Sequence, residues 1–209
     1  GYVAIAFDYR LGWNPTSVDQ DVRTSTLIQA TFRGVQDARA MIRYMRMTEA
    51  TGNAYGIDGS KIIIGGQGVG GYISLGVATL DTATELYLPK FFNFNTNPPI
   101  PYVYPPYFGG INGTDSAWLP AAVSSTGQDE LWNIPNNPTY SSEISMAFNV
   151  GGALADISWL ESGEVPIVSF HCNNDPYAPI DTGDVIVPTT GDFVVEVMGS
   201  RTVQHYSNA

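Results

Sequence analysis

The sequence predicts an α/β fold, a mostly parallel β-sheet flanked by helices, in a single domain spanning residues 1–209. Short apolar runs, typical of strands buried on both faces, alternate with segments of helical apolar period. A glycine-rich turn joins one of these runs directly to a helical segment. With 209 residues, 44% of them hydrophobic, the chain is long enough to bury one substantial core.

The first third of the chain predicts a strand, a helix and a second strand. Tyr2 to Tyr9 form a nearly continuous apolar run, which predicts a strand buried on both faces. Segment 31–52 predicts an amphipathic helix whose apolar residues recur at helical spacing: Val35, Ala38, Ile42 and Met45. Four arginines of this helix are expected largely on its solvent side: Arg33, Arg39, Arg43 and Arg46. Ile62 to Ile64 predict the next buried strand.

A second helix and further strands complete the predicted sheet. The glycines after Ile64 lead into residues 69–80, which predict a helix. The order strand, helix, strand, tight glycine turn and helix predicts a right-handed βαβ unit of a parallel sheet. Two later segments, 143–152 and Val165 to His171, predict additional strands, and residues 192–200 predict a last one.

Residues 86–142 interrupt the alternation of strands and helices. Residues 86–110 hold eight aromatics and six prolines with no helical or strand period. A loop of this length in a compact domain is usually a lid, a binding insert or a disordered segment. We expect a lid-like insertion over the site. A passively packed excursion, or an aromatic surface for carbohydrate or a partner, are the alternatives.

The charge distribution argues against polyanionic partners. The net charge is −11, and residues 91–209 carry twelve acidic side chains and one basic one, Arg201. Nucleic acids and anionic membranes both require a cationic face, so neither is expected as a partner. No stretch of about 18 apolar residues is present, so no membrane span is expected. The acidic, lysine-poor composition suggests a secreted or extracellular protein.

The stretch GGQGVGG, residues 65–71, fits two incompatible motifs. Gly66, Gly68 and Gly71 spell the dinucleotide-binding pattern G-x-G-x-x-G, whereas residues 66–70 spell a nucleophile elbow, G-x-S-x-G, with glycine in place of serine. The dinucleotide motif requires a strand ending in an acidic residue about 20 positions later, and the sequence around Asp81 is not such a strand. The elbow is therefore favoured, since its sharp turn requires small neighbours.

Neither a cofactor nor a metal is predicted. Without the dinucleotide motif no nucleotide cofactor is expected. One loop does gather hard oxygen donors that Ca²⁺ prefers: Asn173, Asn174, Asp175, Asp181 and Asp184. Their spacing fits no EF-hand loop, so this loop is not assigned as a metal site.

Three blocks resemble the α/β-hydrolase superfamily, specifically its carboxylesterase and lipase-like members. The blocks are GYVAIAFDYRLGW, then YGIDGSKIIIGGQGVGGY, then VPIVSFHCNNDPYAP. The resemblance implies an α/β-hydrolase-type sheet with a nucleophile turn in the second block and the acidic triad residue in the third. The family's earlier strands and its oxyanion-hole loop should precede Gly1, so the sheet is expected to be incomplete at one or both ends.

The resemblance implies three catalytic positions: Gly68 at the nucleophile, Asp175 as the acid and His205 as the base. Gly68 has no Oγ, so this position is expected to be non-functional. Asp175 has an alternative role as a turn-forming residue before proline, and His205 as a surface histidine. His171 and Cys172 are expected to be structural, and Ser74 lies too far along its helix to replace the nucleophile.

We therefore expect a catalytically impaired hydrolase homologue that acts as a binding or structural module. A small ester-like or hydrophobic ligand is the expected small-molecule partner. Another chain or a further segment is expected to cover the open sheet edge, because an unpaired edge exposes backbone donors and apolar surface. The alternative is an active, or deliberately inactivated, secreted ester hydrolase of the serine type.

Overall fold

The computed structural model describes residues 1–124 and 127–208, and the described chain is mixed α/β. Its helices are α1 (Gln20–Ala50), α2 (Val69–Thr79), the single turn α3 (Pro105–Phe108) and α4 (Ser200–Ser207). Its strands are β1 (Ile63–Gln67), β2 (Phe92–Asn93), β3 (Ile100–Pro101), β4 (Ala117–Leu119), β5 (Glu130–Asn133), β6 (Met146–Val150), β7 (Ile167–Phe170), β8 (Thr182–Ile186) and β9 (Phe193–Met198).

A three-stranded parallel sheet forms the centre, in the order β1-β6-β7. The remaining strands pair as three antiparallel hairpins, β2 with β3, β4 with β5 and β8 with β9. The strands predicted at the second and third blocks are thus confirmed, and the last predicted strand is β9. That strand belongs to a hairpin and not to the parallel sheet. The prediction that the strands of the second and third blocks are buried was wrong, because Ile63 of β1 and Val168 and Phe170 of β7 are exposed.

Helix α1 begins eleven residues earlier than the apolar period predicts. Its N-cap is Asp19, whose side chain accepts a hydrogen bond from the Asp21 N–H, the usual way of satisfying a first-turn donor. The four apolar residues at helical spacing are buried as predicted: Val35, Ala38, Ile42 and Met45. Their stripe packs against α2 and the parallel sheet in one core cluster.

The prediction that the α1 arginines largely face solvent was wrong. Arg39 and Arg43 are buried, 4% and 0% exposed. Arg43 donates to the carbonyls of Asn112, Gly113 and Asn136, and Arg39 donates to the carbonyls of Ile111, Val77 and Leu80. Arginine carries five donors in a fixed fork, so one buried guanidinium can satisfy several loop carbonyls that have no strand partner.

The prediction of a buried strand over Tyr2 to Tyr9 was also wrong. These residues are extended but lie outside every sheet, and most of them are exposed. Phe7 and Tyr9 pack against the cluster formed by α1, α2 and the sheet. A cavity of about 280 Å³ lies between residues 5–9 and β1, and the segment does not pair with that strand.

Residues 86–142, of which 125 and 126 lie outside the described part, contribute to the main core. Their buried side chains pack with α1, α2 and α4 in the largest cluster, and include Phe91, Val103, Phe108, Leu119 and Trp132. Gln36 of α1 also donates to the carbonyls of Phe108 and Gly110, 2.9 Å each. The segment is therefore anchored onto α1 by apolar packing and by side-chain bonds to its carbonyls.

The β8–β9 hairpin packs against the amino-terminal half of α1. Val194, Val195 and Val197 join the third core cluster, and Thr24 Oγ1 donates to Val194 O at 2.6 Å. In the described ranges 1–124 and 127–208, no helix combines the length and apolarity required to cross a bilayer.

Candidate functional site: the glycine turn at the carboxyl end of the sheet

The turn between β1 and α2 is centred on Gly68, which has φ 56° and ψ −119°. This backbone conformation is open to glycine and strained for other residues. The strand therefore reverses into the helix within one residue, and the N–H of Gly68 donates to Val150 O at 2.9 Å. A Cβ at Gly68 would meet no heavy atom within 4 Å, so the space above the turn is open.

The glycines around this turn are required by close packing. A Cβ at Gly66 would lie 2.4 Å from the carbonyl carbon of Gly70, and a Cβ at Gly71 would lie 2.3 Å from Asn149 Oδ1. A Cβ at Gly70 would meet nothing within 4 Å. The requirement for small residues at Gly66 and Gly71 matches the sharp strand-to-helix turn that the sequence predicts.

The first N–H groups of α2 are available to a ligand. Gly68 caps the helix without a side-chain hydrogen bond, and the N–H groups of Gly71 and Tyr72 both donate to Gly68 O. Within the described part of the chain, the N–H groups of Val69 and Gly70 have no acceptor. Unsatisfied donors at a helix start carry a partial positive charge and attract acceptor groups.

Asp175 lies beyond the carboxyl end of β7, in a tight loop. Its Oδ1 accepts hydrogen bonds from the N–H groups of Tyr177 and Ala178, at 2.8 and 3.0 Å. This is the turn-forming role that the sequence offered as an alternative. Its Oδ2 has no hydrogen-bond donor among residues 1–124 and 127–208 and lies 3.7 Å from His171 Nε2.

Gly68 and Asp175 both adjoin the end of β6, at residues 150–152. A Cβ at Gly151 would lie 3.2 Å from Asp175 Oδ2, and a Cβ at Gly152 would lie 2.8 Å from Gly68 O. The side chain of Tyr72, in the first turn of α2, is also near the carboxylate. Burial, and then the charge of Asp175, raise the pKa of Tyr72. The structure therefore brings two of the three predicted positions to one edge of the sheet.

The structure does not bring His205 to these two residues. His205 is exposed near the carboxyl end of α4, with its ring against Tyr206. Its neighbour Gln204 donates to Ile167 O, at the first residue of β7, whereas Asp175 follows the last residue of β7. About four strand residues, on the order of 13 Å, therefore separate the two along the sheet. The assignment of His205 as the base acting with Asp175 is not supported by this placement.

His171 belongs to a buried polar network beneath the site. Its Nε2 lies 3.1 Å from Ala178 O and therefore carries a hydrogen, because a carbonyl can only accept. Its Nδ1 lies 2.6 Å from Ser200 Oγ, and Asn149 Nδ2 donates to the same hydroxyl at 3.0 Å. Both ring nitrogens are thus engaged, and the ring is structural, as expected from the sequence.

Sequence reasoning missed Asn149 and Ser200. Asn149 is fully buried, and its Oδ1 accepts from Gly152 N at 2.8 Å, so it fixes the turn at the end of β6. The sequence did carry one signal for Asn149, because it is an amide in an otherwise apolar strand and a buried amide requires hydrogen-bond partners. Ser200 starts a helix 29 residues after His171, a separation from which no local pattern predicts contact.

The remaining candidate nucleophiles are unsuited to the site. Ser74 is fully buried, and its Oγ donates to Gly71 O and Phe148 O at 3.0 Å each. Cys172, which the sequence analysis expected to be structural, is exposed and follows β7 directly after His171. Among residues 1–124 and 127–208, no three His, Cys, Asp or Glu side chains form a group that could hold a metal ion.

The site combines donors, an acceptor and open space, without a nucleophile. The Val69 and Gly70 N–H groups can donate to a carbonyl oxygen, Asp175 Oδ2 can accept a hydrogen bond, and the space above Gly68 is open. Acyl transfer also requires an activated nucleophile and a base within hydrogen-bond reach. Comparison of the chain with protein-family models, with curated proteins and with solved structures gives no match.

Proposed function

We propose that the chain is a non-catalytic relative of the carboxylesterase and lipase-like α/β-hydrolases and acts as a binding module. The observation that carries the proposal is the turn at Gly68, with φ 56° and ψ −119° between a parallel strand and a helix. It has the strand-turn-helix geometry expected of a nucleophile elbow, and the nucleophile position has no side chain. The Asp175 loop follows β7, two strands from β1 at the same edge of the sheet, and supports the same relationship.

The position of the histidines supports loss of catalysis. Removing the serine of a comparable triad lowers turnover on the order of 10⁶-fold. In this chain the two histidines add to that loss, since His171 is held by Ser200 and Ala178, and His205 is remote from Asp175. No imidazole of the described chain is placed to accept a proton at position 68.

The expected ligand is a small, uncharged, ester-like molecule with an apolar part. Its carbonyl oxygen accepts from the Val69 and Gly70 N–H groups. The Asp175 carboxylate and the net charge of −11 disfavour an anion. Exposed Val69 and Tyr177 supply apolar surface beside the turn. A separate cavity lined by Tyr72 has only about 50 Å³, too small for a ligand.

The decisive experiment follows p-nitrophenyl butyrate by two readouts on one sample. Saturation-transfer NMR measures binding, and absorbance of released nitrophenolate measures hydrolysis. Val69→Trp fills the space beside the turn, and Val18→Trp is the matched control because Val18 is 99% exposed and far from the turn in sequence. We expect binding to wild type and to Val18→Trp, loss of binding in Val69→Trp, and hydrolysis at the buffer rate in all three.

Two results would overturn the proposal in different ways. Hydrolysis by wild type above the buffer rate favours the alternative, an active serine-type or unusual ester hydrolase. If no saturation is transferred from the wild-type protein to the ester, the chain does not bind the proposed ligand. A purely structural role would then remain. Secretion, which the acidic and lysine-poor composition supports, is tested separately by locating the natural protein after cell fractionation.

A further inference from the structure

One Asn-x-Thr sequence of the chain meets the requirement for N-linked glycosylation. Threonine follows asparagine by two positions at Asn14, Asn112 and Asn137. Proline occupies the middle position after Asn14 and after Asn137, and proline there prevents transfer of a glycan. The middle residue of Asn112-Gly113-Thr114 is glycine, and no asparagine of the sequence is followed two positions later by serine. The chain therefore contains one acceptor sequence, at Asn112.

The side chain of Asn112 is accessible and makes no bond within the fold. Asn112 is exposed at a turn ahead of β4, in which Gly113 N donates to Gly110 O at 2.9 Å. In the part of the chain that the structure describes, neither the Asn112 amide nor the Thr114 hydroxyl makes a hydrogen bond. An asparagine that carries a glycan must keep its side chain at the surface. A glycan on Asn112 therefore displaces no hydrogen bond of the fold.

The backbone of this turn is held against α1. Arg43 donates to the carbonyls of Asn112 and Gly113, at 2.5 and 3.3 Å. Gly113 has φ 60°, and a Cβ there would lie 3.1 Å from Gln36 Cβ, so both the backbone and the packing favour glycine. These contacts use main-chain atoms of the turn, and they leave the side chain of Asn112 to solvent.

The acceptor turn lies away from the glycine turn at Gly68. Arg39 donates to Ile111 O at 3.0 Å and to Leu80 O at 2.7 Å, so Ile111 adjoins the carboxyl end of α2. Gly68 caps the opposite end of this 11-residue helix, about 16 Å away at 1.5 Å per residue. A glycan at Asn112 would therefore leave the Gly68 turn open to a ligand.

We propose that Asn112 carries an N-linked glycan added in a eukaryotic secretory pathway. The donor is a lipid-linked pyrophosphoryl oligosaccharide. A bond forms between Asn112 Nδ2 and C1 of the sugar, the bond from C1 to the pyrophosphate oxygen breaks, and the lipid pyrophosphate and one amide proton leave. The inference rests on the secretion proposed above, because this transfer acts on chains that enter the secretory pathway. The glycan adds a bulky, polar cover to the turn.

The test expresses the 209-residue chain behind a cleavable secretory leader in a eukaryotic host and digests the secreted protein with peptide N-glycosidase F. We expect wild type to migrate faster after digestion. Asn112→Gln and Thr114→Ala should migrate with digested wild type before and after treatment, whereas Thr114→Ser should keep the shift. Both hydroxyl residues complete the acceptor sequence, so the comparison separates loss of the motif from a change in secretion.

Mass spectrometry identifies the modified position. Digestion in water labelled with heavy oxygen converts the glycosylated asparagine into labelled aspartate. Position 112 should be labelled, and Asn14 and Asn137 should not, because both are followed by proline. Thr114→Ala is the matched control for spontaneous deamidation, since it keeps the Asn112-Gly113 pair and loses the acceptor sequence.

The natural protein is digested in the same way after cell fractionation. Secreted protein, recombinant or natural, that the enzyme does not shift overturns the assignment of Asn112, as does a shift that survives Asn112→Gln. Natural protein found unmodified inside the cell overturns the secretion on which the inference rests, and the glycan with it. Digested and undigested protein should bind p-nitrophenyl butyrate equally, so failure of the proposed ligand is distinguishable from both results.

Discussion

Because Gly68 has no side chain, a single substitution to serine tests whether ester hydrolysis can be restored at this position. Serine fits in space, since a Cβ at this position meets no heavy atom within 4 Å, but φ 56° costs it on the order of 1–3 kcal/mol. The hydroxyl then finds no base, because both ring nitrogens of His171 are engaged. We expect Gly68→Ser to fold with a lower Tm and to hydrolyse p-nitrophenyl butyrate at the wild-type rate. A tenfold rise would show that a base does reach the turn.

Glu164 gives a pH dependence of stability. Burial, and then the charges of Asp81, Glu85 and Glu161, raise the pKa of Glu164 from 4.5 to about 7. Because the folded pKa is above the unfolded one, the protonated form is favoured by folding. The resulting stabilisation is complete below pH 4.5 and is lost as pH rises through about 7.

The substitution Glu164→Gln tests whether ionisation of Glu164 lowers the stability of the fold as the pH rises. Glutamine resembles the protonated acid, so the variant and wild type should be equally stable near pH 4. At pH 8 the variant should be more stable by about 1 kcal/mol, a value reduced for solvent screening of a partly exposed group. Urea unfolding at both pH values measures the difference. Glu196→Gln, at an exposed residue of β9, should show no such crossover.

Single residues were predictable where the sequence imposes a strong local constraint. Gly68 and Asp175 could be located because a sharp turn requires glycine and because polar residues directly follow a buried strand. His205 could not, since its helix runs back along β7 and carries the ring away from the Asp175 loop. No periodicity or spacing in the sequence predicts the direction in which α4 runs along β7.

The β1–α2 turn predicts different effects of alanine at Gly66 and at Gly70. A Cβ at Gly66 would lie 2.4 Å from the Gly70 backbone, which cannot move without opening the turn. We expect Gly66→Ala to lower the free energy of unfolding by about 2–3 kcal/mol. Gly70→Ala is the matched control, because its Cβ meets nothing and alanine favours a helix by up to about 1 kcal/mol. Equal effects of the two substitutions in urea unfolding would contradict the close contact.

Helix α1 holds the long insertion through Arg43. The guanidinium donates to the carbonyls of Asn112, Gly113 and Asn136 and is fully buried. Arg43→Met removes these donors and leaves the carbonyls without partners, at a cost of about 2–4 kcal/mol. Chemical denaturation measures the loss. Arg201→Met removes only a solvent-exposed ion pair with Asp181, so its effect should be far smaller than that of Arg43→Met.

At the level of elements, the parallel strands and both long helices followed from apolar runs and helical spacing. The burial of Arg39 and Arg43 did not, because charged residues at helical spacing usually lie in solvent. Here the insertion supplies carbonyls that no strand satisfies, and the arginines satisfy them. Tertiary packing determines which side of α1 faces the insertion. The apolar periodicity of the helix does not predict it.

Over the whole molecule, one face of the parallel sheet packs against α1 and α2 and the other is open. Ala147 and Asn149 of β6 are fully buried on the packed face, whereas Phe148, Val168 and Phe170 are exposed on the opposite one. On the free side of β1, residues 5–9 are separated from the strand by the 280 Å³ cavity. Parallel sheets are normally covered on both faces, so we expect another chain or a further segment to cover this one.

The uncovered face predicts measurable behaviour of the 209-residue chain. Contiguous apolar surface binds hydrophobic dyes and promotes association. The double substitution Val168→Thr and Phe170→Ser replaces exposed residues, so it should change the free energy of unfolding by less than about 1 kcal/mol. It should reduce anilinonaphthalene sulfonate fluorescence and lower the sedimentation-average mass. The control Val18→Thr and Phe193→Ser, at exposed residues outside the parallel sheet, should change neither. Dye binding that survives the first pair but not the second would place the exposed apolar surface on the hairpins, and the sheet would then need no cover.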